Sequence, residues 1–181
     1  MQVFIAILRG INVGGHRIIK MDFLRQIFGV IGMKDVKTYI QSGNVVFRSD
    51  INDIGALAEL IRDTIQKSTG FDVKTIVIEA QDFLNKVASN PYIIHEYDMK
   101  QLFGTFLETE PHETTALSSI DTSNDTFILG NKIIYLKCVG SYHTSPLTNE
   151  IFEKKLKISC TTRNWKTILT IKTMIEEMLS T

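Results

Sequence analysis

Tyr39-Ile40-Gln41-Ser42-Gly43-Asn44-Val45-Val46-Phe47 and Phe127-Ile128-Leu129-Gly130-Asn131-Lys132-Ile133-Ile134-Tyr135 are two stretches built to one plan. In each, β-prone apolar residues flank a turn made with Gly and Asn, the residue types that accept left-handed backbone at least cost. Each predicts a β-hairpin, and the elements around the two hairpins also match. Ahead of the first, Val3 to Leu8 is an unbroken apolar run that predicts a strand buried on both faces. Leu24, Ile27, Phe28 and Ile31 then recur at helical spacing, with Gly32 as the stop. The hairpin strands are expected at Val36 to Gln41 and Val45 to Arg48. Behind them, Ile54, Leu57, Ala58, Ile61 and Ile65 mark a second amphipathic helix, with Asp50 or Asn52 as the expected cap and Gly70 as the stop. Val73 to Ile78 reads as a fourth strand, which completes the order β-α-β-β-α-β.

The second half repeats the scheme after a short helix at Asp82 to Ala88 and an extended connection at Asn90-Pro91-Tyr92. Gln101 to Leu107 reads as a strand and Glu113 to Ile120 as a weak helix. The hairpin of Thr126 to Leu129 and Lys132 to Cys138 follows. Ser145-Pro146 is a helix-entry signal, because proline at the first helical position loses no hydrogen bond. The helix through Ile151, Phe152 and Leu156 leads to a strand near Ile158 to Thr161. A last helix carries Ile168, Ile171, Ile175 and Met178 on one face. The expected fold class is α/β (α+β): tandem β-α-β-β-α-β ferredoxin-like subdomains packed as one unit, with a C-terminal helix. Residues 1–80 form the first subdomain, and 81–181 the second with its linking helix.

Composition narrows the function classes. The chain has 181 residues, 44% hydrophobic and 22% charged, as an ordinary globular protein does. Lys plus Arg is 20 and Asp plus Glu is 20, so the formal net charge is zero. Proteins that hold duplex nucleic acid by counterion release carry a basic excess, so the balance weighs against a general nucleic-acid binder and leaves room for a local patch. No stretch approaches the roughly 18 apolar residues of a membrane span. Met1 to Arg9 lacks the basic start and cleavage site of a secretory leader. The 2 cysteines, Cys138 and Cys160, do not form a disulfide framework. A cytoplasmic location is expected.

Three segments could carry chemistry. Arg9-Gly10-Ile11-Asn12-Val13-Gly14-Gly15-His16-Arg17 joins the first strand to the first helix. Its glycines let backbone N–H groups approach an anion, and the helix beyond would add its positive end. Gly10 and Gly15 have the spacing of the two Walker A glycines. However, His16-Arg17 stands where that motif needs Lys and then Ser or Thr, so a nucleoside triphosphatase is not expected. Two readings stand, anion binding and a sharp turn. Gln41-Ser42-Gly43-Asn44 offers polar side chains, but no Gly-x-Ser-x-Gly elbow or base marks Ser42 as a nucleophile. In Thr161-Thr162-Arg163-Asn164-Trp165, Arg163 offers a fork of donors suited to carboxylate or phosphate, Thr162 or Asn164 would cap the last helix, and Trp165 reads as core. Cys138, His143 and Cys160 lack paired metal-ligand spacing. His16, His95 and His112 stand alone, so no metal is expected. No nucleotide-cofactor motif is complete.

These segments, in order, resemble a known family. Ile7 to Gly15, Lys20-Met21, Tyr39 to Phe47, Asn90-Pro91-Tyr92, Thr105-Phe106-Leu107 and Thr161 to Trp165 are similar to the signatures of domain-of-unknown-function family 1697. The resemblance spans nearly the whole chain. It implies a bacterial protein of paired ferredoxin-like subdomains and no established activity. The chain departs from the pattern at Ser145-Pro146, where Ser-Lys is frequent, and at Lys166, where Asn is. The first departure removes a positive charge, which counts against a phosphate contact there.

The expected function is binding of an anionic small molecule or nucleotide at the Gly-rich loop. The candidate ligand-binding residues are Arg9, Asn12, Gly14, Gly15, Lys20, Ser42, Asn44 and Arg163. Two alternatives remain open: a nucleic-acid-binding module, though the aromatic signature of RNA-recognition sheets is absent, and an interaction or structural protein with no small-molecule site, whose glycine loops are only turns. No catalytic constellation is complete, and the sequence leaves oligomeric state open.

Overall fold

The computed structural model describes residues 1–94 and 98–180, with the side chain of residue 94 excepted. By backbone contacts the chain divides into two units. The first comprises Met1–Leu84 with Thr170–Thr181, and the second Asn85–Leu169.

In the first unit the elements are β1 (Gln2–Leu8), α1 (Met21–Val30), β2 (Lys34–Tyr39), β3 (Asn44–Ser49), α2 (Ile54–Thr69) and β4 (Thr75–Glu79). They form an antiparallel sheet in the order β2-β3-β1-β4. The apolar run of β1 takes a central place, with Val3 to Leu8 buried on both faces. Phe4, Ala6 and Leu8 share a core with Val45 and Phe47 of β3, Leu24, Ile27 and Phe28 of α1, and Leu57, Ile61 and Ile65 of α2. Phe47 is the hub: its ring stacks on Phe4 at 5.9 Å and meets the edge of Phe28 at 5.3 Å. Full burial of such side chains stabilises by about 1.5–3 kcal/mol each, which is why helices with one apolar stripe lie against this sheet.

In the second unit, β5 (Leu102–Leu107), β6 (Thr126–Gly130), β7 (Ile133–Lys137) and β8 (Cys160–Asn164) form an antiparallel sheet in the order β6-β7-β5-β8. Strand for strand this is the order of the first sheet, so the tandem ferredoxin-like arrangement is present. Helix α3 (Ala80–Ala88) begins directly after β4, α4 (Asn149–Leu156) precedes β8, and α5 (Trp165–Leu179) closes the chain. Trp165, Ile168, Ile171, Ile175 and Met178 are all buried. Trp165 lies edge-on to Tyr135 with ring centroids 6.3 Å apart, so it is core as its spacing implies.

Four local expectations need correction. The α2 cap is Asp53, whose carboxylate accepts from the N–H groups of Gly55 and Ala56, and not Asp50 or Asn52. The Pro91 region is a single 3-10 turn, Pro91–Ile94, because Asn90 Oδ1 accepts from Tyr92 N at 2.9 Å and curls the chain. The weak helix near Thr115 shrinks to a 3-10 turn, Thr115–Ser119: Ser118 and Ser119 bond backbone carbonyls three residues back, and only Leu117 is buried. Finally, α4 is capped by Thr148, which accepts from Ile151 N, three residues after Ser145. The Ser145 hydroxyl is buried, donates to Asp125 Oδ2 at 2.6 Å and accepts from Leu147 N at 3.1 Å, in a turn that ends before α4 begins. Asn164 caps α5 by accepting from Thr167 N at 2.8 Å.

The turn between β2 and β3 depends on one missing atom. Gly43 has φ +77°, and a Cβ there would lie 2.7 Å from Leu8 Cβ and 2.8 Å from Ile11 Cδ1. Gly70, the left-handed stop of α2, has the same φ and nothing within 4 Å of the added carbon. Gly43→Ala should therefore destabilise the protein by about 3 kcal/mol, from overpacking and backbone strain together. Gly70→Ala should cost about 1 kcal/mol, from strain alone. Denaturant melts of the two variants measure the difference.

Candidate functional site

The loop from β1 to α1 is pinned at the end of β1 and folds back on itself in the middle. Leu8 N donates to Gly43 O at 2.8 Å, and Arg9 N donates to Lys74 O at 2.9 Å. Ile11 and Ile19 turn inward and are buried. Between them the chain forms a small hairpin. Asn12 N donates to Arg17 O at 3.2 Å, His16 N donates to Val13 O at 3.0 Å, and Val13 bridges His16. Gly14 and Gly15, with φ 57° and 78°, are its two central residues. Two consecutive positive φ angles are what such a two-residue turn demands.

The Asn12 side chain holds this hairpin to the sheet. Its Oδ1 accepts from Ile19 N at 2.8 Å, and its Nδ2 donates to Ile19 O at 2.9 Å and to Gln41 O at 2.8 Å. One amide thus ties the far end of the loop and the β2–β3 turn to the end of β1. Asn44 has a similar role: fully buried, it donates from Nδ2 to Tyr39 O at 3.2 Å and to Ser42 Oγ at 2.9 Å. The candidates Asn12 and Asn44 are therefore backbone clasps. Ile40, in the same turn, sits at φ 47°, a conformation that costs a β-branched residue on the order of 1–2 kcal/mol.

The glycines do not stand at the mouth of the helix. Helix α1 begins at Met21, and its cap position is Lys20, whose side chain makes no capping bond. The expectation that α1 would add its positive end at Gly14 and Gly15 is corrected, because Asn12 spends residues 16–19 on closing the hairpin before the helix starts. Gly14, Gly15 and Lys20 are exposed, while Arg9 and Ser42 are half-buried.

A cationic group gathers beside this loop. The Arg17 guanidinium lies over Gly10, with Nη1 3.7 Å from where a Cβ would stand. Lys74 is brought to Arg9 by the β1–β4 pairing and was not singled out by the sequence. No local motif marks it; only the register of two distant strands does. Asp72 registers the local field. Its carboxyl is held below the ordinary range first by hydrogen bonds from Arg62, at 2.5 and 2.8 Å, and further by the charges of Arg62, Arg17 and Lys74.

The remaining candidate, Arg163, belongs to the second unit. Its Nη1 donates to Thr161 Oγ1 at 3.0 Å and to Thr162 O at 2.9 Å. Burial pushes the guanidinium down to about 10, which leaves it protonated at neutral pH. Around it lies a polar cluster that no motif announced. Thr162 Oγ1 bonds Asn149 Oδ1 at 2.8 Å and Thr105 Oγ1 at 2.7 Å. Tyr142, its phenol pushed up by burial, also bonds Thr162 and stacks on Phe103 at 4.8 Å. Among the described residues no three His, Cys, Asp or Glu side chains gather as a metal site. His95 lies outside the described residues. A cleft along the β2 edge, lined by Asp35, Val36, Lys37, Arg48 and Met178, has its arginine engaged by Asp35 and the Met178 carbonyl.

A family model described as "protein of unknown function (DUF1697)" matches residues 1–135. A conserved bacterial protein from Streptococcus pneumoniae has a similar solved structure, with a TM-score of 0.71 and 23% sequence identity. The match covers 96% of this chain and 98% of that one. At that identity the likeness is one of fold. No curated protein matches. Among the described residues no helix is long and apolar enough to cross a membrane.

Two measurements check the geometry of the loop. Asn12→Ala should destabilise the protein by about 2 kcal/mol, since it leaves buried backbone groups of Ile19 unpaired, and should speed amide exchange at Ile19. In an NMR pH titration, Arg62→Ala should move the Asp72 pKa up toward the ordinary carboxylate value, with a smaller upward shift for Arg17→Ala. The sign follows from the lowered pKa. The Asp72–Arg62 pair contributes above the ordinary carboxylate range, and its contribution is lost as pH falls through the lowered value.

Proposed function

The chain belongs to the family of proteins of unknown function DUF1697, and from that premise we propose that it binds an anionic group, such as the phosphate of a small molecule or nucleotide, at the loop joining β1 to α1. The observation that carries this reading is the Arg17 guanidinium lying over Gly10, on a loop fastened by Asn12 and beside the backbone pairing of Arg9 with Lys74. Asp72, the acidic side chain on which the charges of Arg17 and Lys74 act, is engaged by two nitrogens of Arg62. A fixed backbone lowers the ordering cost of binding, and charge-assisted hydrogen bonds supply roughly 1.5–3 kcal/mol each.

In this reading Arg17 and Lys74 meet the anion, Arg9 supports it from the end of β1, and the exposed N–H groups of Gly14 and Gly15 lie nearby. Asn12 and Asn44 position the loop and do not touch the ligand. The proposal is one of binding, with no reaction attached.

Inorganic phosphate, pyrophosphate and nucleoside mono- and triphosphates should raise the melting temperature in a concentration-dependent way; a ligand at about a hundred times its Kd adds nearly 3 kcal/mol. Arg17→Ala/Lys74→Ala should weaken that binding by about tenfold or more, and Arg9→Ala by about 2 kcal/mol, with the fold intact. A lowered melting temperature in Arg9→Ala with unchanged affinity would mean that the loop is architecture alone.

A further inference from the structure

The same loop and the β2–β3 turn clasped to it carry a second chemical character. Val13, Ile18 and Ile40 are 62%, 65% and 48% exposed, high values for aliphatic side chains. They are not scattered. Asn12 bonds the backbone of Ile19 and Gln41, and Val13, Ile18 and Ile40 are the immediate chain neighbours of those three residues. The clasp that closes the loop therefore holds three exposed aliphatic residues at one end of the first unit. Ile40 is kept there in a left-handed conformation that a β-branched residue ordinarily avoids.

Charge surrounds this apolar tip. Arg17 and Lys20 lie close to Ile18 in the chain, and Arg9 and Lys74 pair at the base of the small hairpin, where the Asp72 carboxylate feels Arg17 and Lys74. Exposed aliphatic residues on two clasped loops, with Arg17 and Lys20 beside them, match the boundary between phosphate headgroups and acyl chains. There apolar side chains leave water while Lys and Arg meet anionic lipid. Single-stranded nucleic acid fits less well, because the exposed apolar side chains at this tip are branched aliphatics and not the aromatic rings on which bases stack.

We propose that this loop, with the β2–β3 turn clasped to it, docks the protein on an anionic lipid surface, with Val13, Ile18 and Ile40 entering the acyl boundary and Arg17 and Lys20 contacting headgroup phosphates. The inference rests on the anion-binding reading above and names the source of the anion. Docking of this kind is reversible and weakens with salt, since few charges and a small apolar area take part.

Co-sedimentation of the full chain with two kinds of vesicle tests it. Vesicles of equal parts phosphatidylglycerol and phosphatidylcholine should bind the protein about tenfold better than pure phosphatidylcholine, and high salt should erase the difference. Val13→Ser/Ile18→Ser should lower binding to the anionic vesicles by about tenfold, with an unchanged melting temperature confirming that these exposed sites leave the fold intact. Failure to bind anionic vesicles, or binding indifferent to Val13→Ser/Ile18→Ser, overturns the proposal. Preference for poly-glutamate or poly-uridylate over the vesicles overturns it as well. If inorganic phosphate stabilises the protein while vesicles do not bind, the anion site stands and the lipid assignment falls. If neither binds, both fall.

Discussion

The carboxamide of Asn12 is the constraint on which the β1–α1 end of the first unit depends. It satisfies the backbone N–H and C=O of Ile19 and reaches the carbonyl of Gln41, three groups that the chain brings from different segments. A buried backbone group without a partner costs on the order of 1–3 kcal/mol, so this one side chain removes a substantial penalty. Its consequences spread outward. With Ile19 fixed, Ile11 and Ile19 can both enter the core and Gly14 and Gly15 are pushed out as a turn. With Gln41 fixed, Gly43 seats against Leu8 and Ile11. The cations of the loop inherit their positions from that frame.

The two units share a strand order but secure their loops by different means. In the first, glycine and asparagine accept tight backbone geometry. In the second, Asp125 does the work: its Oδ1 accepts from Val139 N at 2.8 Å and its Oδ2 from the Ser145 hydroxyl. Ser145 Oγ in turn accepts from Leu147 N at 3.1 Å and lies 3.6 Å from the Cys138 thiol, which burial pushes up. This network closes the segment between β7 and α4. The departure at Pro146 falls inside it, where the neighbouring serine is buried and bonded. Repeating a fold thus does not repeat its polar interior, since only the apolar pattern must be kept for the sheet to pack.

The elements legible in the chain are those governed by local periodicity. The buried run of β1, the stripes of α1, α2 and α5, and both hairpins follow from spacing and turn chemistry, because burial rewards one face at a time. Their ends were less legible. Asp50, Asn52 and Asp53 are chemically equivalent candidates for the α2 cap, and only the path of the chain out of β3 decides for Asp53. Ser145 looks like a helix start, yet its hydroxyl is tied to Asp125, twenty residues earlier, and α4 starts only after Thr148.

For the candidate site, the division lies between residue type and residue role. The sequence by itself determined that the β1–α1 loop is glycine-rich, basic and turn-prone, and that Arg163 stands before the last helix. Tertiary structure alone decided that Asn12 spends its amide on backbone and Asn44 on Tyr39 O and the Ser42 hydroxyl, that the glycines stand apart from the start of α1, and that Lys74 pairs with Arg9. The physical reason is that helix and strand periods are written into neighbouring residues. A site depends on the register of strands far apart in sequence, and β1 and β4 acquire theirs only when the sheet closes.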